Sequence, residues 1–172
     1  DPDGGNTTQT LTVTTRAVPV KPTSGRTLHV IPGSGGGTGA EGDPFQGIDT
    51  AQANAQPGDI FLLHAGNYGG VILFDTSGEA SNYIVWQAAG DGDAILEGIR
   101  MDADHVWLEG LSVIAADYGL RTYNAPEDVV LHRNTFTTCH YCIYLNHGGE
   151  NWTITDNIIV GDVAPESGSF SG

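Results

Sequence analysis

Five stretches of the chain open alike at one interval. Asp59-Ile60-Phe61-Leu62-Leu63, Asn82-Tyr83-Ile84-Val85-Trp86, His105-Val106-Trp107-Leu108-Glu109, Asp128-Val129-Val130-Leu131-His132 and Asn151-Trp152-Thr153-Ile154-Thr155 each begin on a polar turn-former and continue as a short strand-like run. The starts, 59, 82, 105, 128 and 151, are 23 residues apart. A repeat this short cannot bury its own apolar side, so successive copies must stack and share a core. A second column of runs, at 110–113, 133–136 and 156–159, keeps the interval, and a third is read at 71–74, 94–96, 118–120 and 141–145. Three short strands per turn predict an all-β parallel β-helix solenoid of about five coils.

Residues 1–26 read differently, as an extended N-terminal arm and linker, and 27–172 as the β-helix domain. Thr10 to Val20 alternates Thr with apolar residues, the period of a half-buried strand that must lie on something to bury Leu11 and Val13. Thr27–Ile31 reads as the first strand of the domain. Gly33 to Gly42 is a glycine loop with no lysine after it, a poor phosphate site. Phe45, Ile48, Ala51 and Ala55 are spaced for one short capping helix, ended by Pro57-Gly58.

The glycine loop, the short helix, the run Gln56-Pro57-Gly58-Asp59-Ile60-Phe61-Leu62-Leu63-His64-Ala65-Gly66-Asn67-Tyr68 and the coils after it resemble the right-handed parallel β-helix superfamily, the pectin-lyase-like fold. The resemblance covers roughly residues 27–163. It implies a right-handed solenoid and leaves the chemistry open, because this scaffold serves lyases, hydrolases, adhesins and structural proteins.

A formal charge of −15 with only six Lys plus Arg argues against nucleic acid or anionic membrane surfaces as partners. It also weighs against a polyanionic sugar unless a cation bridges. No apolar run approaches the ~20 residues of a membrane span. A chain that opens on Asp1 and carries sequons at Asn6 and Asn151 is expected to be secreted or displayed at the cell surface, with both asparagines as glycan acceptors. Cys139-His140-Tyr141-Cys142 could be a redox pair, half a zinc site with His132, His140 or His147, or a local disulfide; the disulfide Cys139–Cys142 is the expected form.

Alternation in a uniform 23-residue frame sorts the first-strand positions into faces. Ile60, Tyr83, Val106, Val129 and Trp152, with Leu62, Val85, Leu108, Leu131 and Ile154, are expected inward. Phe61, Ile84, Trp107 and Val130, flanked by Leu63 and Trp86, are then expected outward. An apolar outer strip needs a cover: the chain's own arm, a second molecule, or a sugar stacked on Trp86 and Trp107. Asn134 and Asn157 are expected to form an amide ladder. The corner residues Asp59, Asn82, His105, Asp128 and Asn151 suit a turn, and beside them Asp104, Glu127 and Glu150 form an acidic row, a weak candidate for Ca²⁺ and the sole suggestion of a cofactor.

Catalytic signals are sparse. A lyase needs a base and a charge neutraliser, for which Arg100, Arg121 and Arg133 are candidates, Lys21 being the only lysine and lying in the linker. A hydrolase needs two carboxylates, which Asp102, Asp104, Glu109 and Asp117 could supply. His64, His105, His132, His140 and His147 are scattered. The alternative catalytic set is therefore Asp102, Asp104, Arg121 and Arg133, and the leaning is away from an enzyme. The first expectation is a secreted structural protein. It would assemble with copies of itself head to tail, through the arm residues Leu11 and Val13 and the face Phe61, Ile84, Trp86, Trp107 and Val130. The alternatives are a polysaccharide lyase or glycoside hydrolase, or a fragment of one, and a glycan-binding module.

Overall fold

A computed structural model describes residues 9–162 of the chain; the sequon at Asn6 and the segment 163–172 lie outside the described residues. The fold begins with β1 (Thr27–Ile31), followed by β2 (Phe45–Gln46) and the short helix α1 (Ile48–Gln52). The next coil holds β3 (Ile60–Leu63), β4 (Gly66–Asn67) and β5 (Ile72–Phe74), and the one after it β6 (Ile84–Ala88), β7 (Ala94–Leu96) and β8 (Ile99–Met101). Then come β9 (Val106–Glu109), β10 (Ser112–Ile114) and β11 (Tyr118–Thr122), and β12 (Val130–His132), β13 (Thr135–Cys139) and β14 (Tyr141–Tyr144). Strands β15 (Thr153–Thr155) and β16 (Ile158–Gly161) start a further coil.

These strands stack into three parallel sheets, in the orders β15-β12-β9-β6-β3-β1-β2, β16-β13-β10-β7-β4 and β14-β11-β8-β5. The result is a parallel β-helix with about four complete coils, slightly fewer than expected. Each sheet sends one set of side chains to a shared interior. In the seven-stranded sheet the central inward column is Leu28, Phe61, Trp86, Leu108, Leu131 and Ile154. The five-stranded sheet adds Leu96, Val113, Phe136 and Ile159, and the four-stranded sheet adds Ile72, Ile99, Leu120 and Ile143.

The register corrects the uniform frame. Ile60 pairs with Val85, Val85 with Trp107, Trp107 with Val130 and Val130 with Thr153, so the steps are 25, 22, 23 and 23 residues. The 25-residue step keeps the side-chain parity of a 23-residue repeat, but the 22-residue step reverses it. A one-residue slip moves every side chain of a strand to the other face. Phe61, Ile84 and Trp86 therefore point inward and are fully or almost fully buried, with the Phe61 and Trp86 rings stacked at 4.1 Å. Ile60 and Leu62 are only half-buried on the outer side, and Val85 takes the outer column. Of the expected strip, Trp107 and Val130 face outward. The third column also changes. Ala94–Leu96 belongs to the five-stranded sheet, and Ile99–Met101 takes its place in the four-stranded one. Only Glu97 and Gly98 separate the two strands, and Gly98 turns the corner at φ 153°, a conformation essentially reserved for glycine.

Two sets of corners hold the coils in line. Gly110, Arg133 and Asp156 share left-handed backbone angles (φ 69°, 54° and 57°), as do His105, Asp128 and Asn151 (53°, 54° and 60°). After the first set come Leu111, Asn134 and Asn157. The buried Asn134 amide donates to the Leu108 carbonyl and to Asn157 Oδ1, and its own oxygen accepts the Leu111 N–H. Asn157 repeats the bond to the Leu131 carbonyl, so the expected amide ladder is present. The expected disulfide is present as well, joining Cys139 to Cys142 between β13 and β14.

The parity reversal is measurable. Phe61→Ala should cost about 3–5 kcal/mol in urea unfolding, whereas Leu62→Ala should cost roughly 1 kcal/mol or less. The opposite ranking would restore the uniform frame.

Candidate functional site

Along β8 and β11 the inward residues are Ile99, Met101, Leu120 and Thr122, all buried, so alternation turns Arg100 and Arg121 outward. Parallel pairing sets them opposite each other and extends the row to Leu73 on one side and Tyr144 on the other. Neighbouring rungs are ~4.8 Å apart, and like charges directly opposite destabilise a sheet. The chain has six Lys plus Arg in all, and two of them meet on this face.

Aromatic rings frame the pair. The Arg100 guanidinium lies 4.3 Å from the Tyr123 ring centre, and that of Arg121 lies 4.9 Å from Tyr123 and 5.3 Å from Tyr118. Tyr118 stacks on Tyr141 at 5.2 Å, Tyr144 lies 5.4 Å from both, and His147 stacks on Tyr123 at 5.4 Å. Cation–π attraction offsets part of the repulsion between the arginines. Arg100 also donates from Nε and Nη2 to Oδ2 of Asp102, at 2.9 and 2.6 Å, and this bond raises the guanidinium pKa. The other oxygen of Asp102 is buried and has no hydrogen-bond partner among the described residues. Among the described residues no carboxylate lies within ion-pair distance of Arg121. Partial desolvation, then the charge of Asp117, raises the pKa of Tyr118.

The structure thus splits the expected catalytic set. Asp102 and Arg121 share this face, with Arg100 between them. Arg133 sits exposed in the turn between the seven- and five-stranded sheets, and Asp156 approaches His132 at 3.7 Å. Asp104 is a corner residue whose Oδ1 accepts the Glu127 N–H at 2.8 Å. Glu127 and Glu150 in turn offer backbone carbonyls to the N–H groups of His105 and Asp128. That acidic row ties one corner to the next, and among the described residues no group of three or more His, Cys, Asp or Glu could hold a metal ion. The tyrosines are the residues missed in sequence, and Arg100, a candidate there, was not expected to sit opposite Arg121. Their common face depends on β8, whose position in the four-stranded sheet was not foreseen.

The expected assembly strip is the outer face of the seven-stranded sheet, and the chain's own arm crosses it. Arg16 donates to the Asn151 carbonyl and the Thr153 hydroxyl, Lys21 Nζ reaches Glu109 at 2.7 Å and Gln87 at 3.0 Å, and Arg26 grips the buried carboxylate of Asp59 through two bonds. The arm therefore runs along the solenoid axis from the last described coil back to the first. Val85 and Val130, on the side it crosses, are buried. Leu11 and Val13 do not pack on the chain's own sheet, where they stay 86% and 70% exposed. Trp107 is half-buried and donates from Nε1 to Glu109, while Trp86 is in the core and cannot serve as a sugar platform. Asn151 is exposed at its corner, with Thr153 of its sequon bonded to Arg16.

Stacked parallel rungs, an asparagine ladder and a small helix before the first full coil make up a parallel β-helix fold. The crystal structure of pectate lyase Pel9A is similar to it, with a TM-score of 0.65 and 21% sequence identity over 77% of this chain. The match spans 38% of the lyase, so this chain corresponds to less than half of that protein's length. No protein-family model and no curated protein sequence matches the chain.

Exposed ion pairs are each worth about 0.2–1 kcal/mol, so the double change Arg16→Ala and Lys21→Ala should free the arm and leave the coils folded. Limited proteolysis of residues 9–26 should speed up while the urea midpoint of the coils stays within error.

Proposed function

We propose that this β-helix acts outside the cell on carbohydrate, and that it binds an acidic polysaccharide along the outer face of its four-stranded sheet. The observation that carries the reading is the Arg100–Arg121 pair on adjacent rungs of a chain with a net charge of −15. A planar guanidinium matches a carboxylate with two parallel hydrogen bonds. Tyr118, Tyr123, Tyr141 and Tyr144 offer flat apolar faces with polar edges, suited to sugar rings. Asp102 holds Arg100 in place, and Arg121 is left to meet the ligand. The kinship in fold with a pectate lyase supports the choice of an acidic sugar.

The acidic surface does not decide against this. Charges separated by more than about 8 Å are largely screened at physiological ionic strength, so the groups on the face itself govern recognition. The test is calorimetric titration with a uronic-acid oligosaccharide and a neutral one of equal length. The native protein should bind the acidic sugar alone, and Arg121→Gln should weaken binding at least tenfold while Trp107→Ala leaves it unchanged. Equal affinity for both sugars, or indifference to Arg121→Gln, would contradict the proposal.

Self-assembly is a second reading with its own observation. Ile154, Ile158, Ile159 and Val160 of the last described coil are 42–60% exposed, an apolar edge of the kind another molecule can cover. An arm laid on its own sheet is open to a neighbour only by exchange between copies, so such assembly would rest on this edge. Sedimentation at rising protein concentration decides it. A growing mass that Ile158→Asp suppresses supports end-to-end contact, and a constant monomer mass removes it.

A further inference from the structure

We propose that His29 and His64 form a binding site for a divalent transition-metal ion such as Zn²⁺ or Cu²⁺, with Asp91 as its supporting carboxylate. The site lies on the first coil, apart from the arginine–tyrosine face. His29 projects from the outer side of β1, between the inward Leu28 and Val30, and His64 directly follows β3. Nδ1 of His29 is 2.8 Å from Nε2 of His64, with the two rings 21° from parallel. On the far side of His64, Nδ1 lies 2.7 Å from Asp91 Oδ2, while Asp91 Oδ1 accepts the Ala65 N–H at 3.0 Å.

With both imidazoles neutral the protons have one arrangement. An ionised Asp91 can only accept, so His64 then carries its hydrogen on Nδ1 and presents the lone pair of Nε2 to His29. A carboxylate on the outer nitrogen of an imidazole is the usual support of a metal-ligating histidine: it fixes the tautomer and makes the other nitrogen more basic. The carboxylate of Asp91 is itself held below its ordinary pKa, chiefly by the bond to His64. In the metal-free protein His29 donates from Nδ1 to His64. For a metal to enter, that one proton moves through solvent to Nε2 of His29, and two lone pairs then meet the ion. Nothing is oxidised, and no covalent bond other than N–H is exchanged.

Donor chemistry selects the ion. Imidazole nitrogen suits Zn²⁺, Cu²⁺ and Ni²⁺, whereas Ca²⁺ and Mg²⁺ take oxygen ligands. The protein supplies two donors, and water completes the shell. The site is therefore an exchangeable one, unlike the closed four-ligand sites that hold structural zinc. Both imidazoles are half-exposed, which gives an ion a path to them.

The test is titration of the full chain with Zn²⁺ by calorimetry, and with Cu²⁺ by electron paramagnetic resonance. One equivalent should bind, with a Cu²⁺ spectrum showing two imidazole nitrogens. His29→Gln and His64→Gln should each abolish that equivalent. Asp91→Asn, which leaves both donors in place, should weaken it 10–100-fold, and His132→Gln should leave it unchanged. Circular dichroism checks that each variant is folded. No binding by the native protein, or binding that survives either His29→Gln or His64→Gln, would overturn the site.

Discussion

Every other property of this molecule depends on the parallel register between successive coils. A coil buries its inward side chains only against its neighbours, and the backbone hydrogen bonds from rung to rung fix which residues become neighbours. The column Leu28, Phe61, Trp86, Leu108, Leu131 and Ile154 results from that register, and the Phe61–Trp86 stack is its largest contact. The later coils, with uniform 23-residue steps, are held in line at their corners by residues with left-handed backbone angles and by the Asn134–Asn157 ladder. With the interior carrying stability, the outer faces of the three sheets are free to differ.

They differ in chemistry. The seven-stranded sheet carries the arm, pinned by Arg16, Lys21 and Arg26 to acceptors on four coils. The five-stranded sheet shows an apolar side, with Ile114, Ile158 and Val160 exposed. The four-stranded sheet has the arginine–tyrosine array. Three cations of an acidic chain are thus spent on the arm, and two are placed side by side where they repel each other. Such an arrangement is costly for a scaffold and useful for a ligand, which is why function is assigned to that sheet.

The sequence disclosed the solenoid, the first two strand columns, the amide ladder, the disulfide and the turns at His105, Asp128 and Asn151, because each leaves a periodic or paired mark. It did not disclose the register of the first coils. A 25-residue step followed by a 22-residue step sums to 47, one more than two uniform repeats, so the polar starts at 59, 82 and 105 stay in step while the parity behind them reverses. Side chains apolar on both faces, such as Ile84, Val85 and Trp86, cannot reveal this reversal. The Arg100–Arg121 row was hidden for a related reason: Glu97-Gly98 is a corner too short to break the alternation on either side of it. The His29–His64–Asp91 chain joins residues 35 and 27 positions apart, which no repeat connects.

The most direct test of the account is a nuclear magnetic resonance titration of the native chain with an acidic oligosaccharide, followed at the arginine side-chain N–H and tyrosine ring signals. Shifts concentrated at Arg121, Arg100 and Tyr118, Tyr123, Tyr141 and Tyr144 are the predicted result. Shifts centred on Trp107 and the arm, or none anywhere, would contradict the assignment of function to the four-stranded sheet.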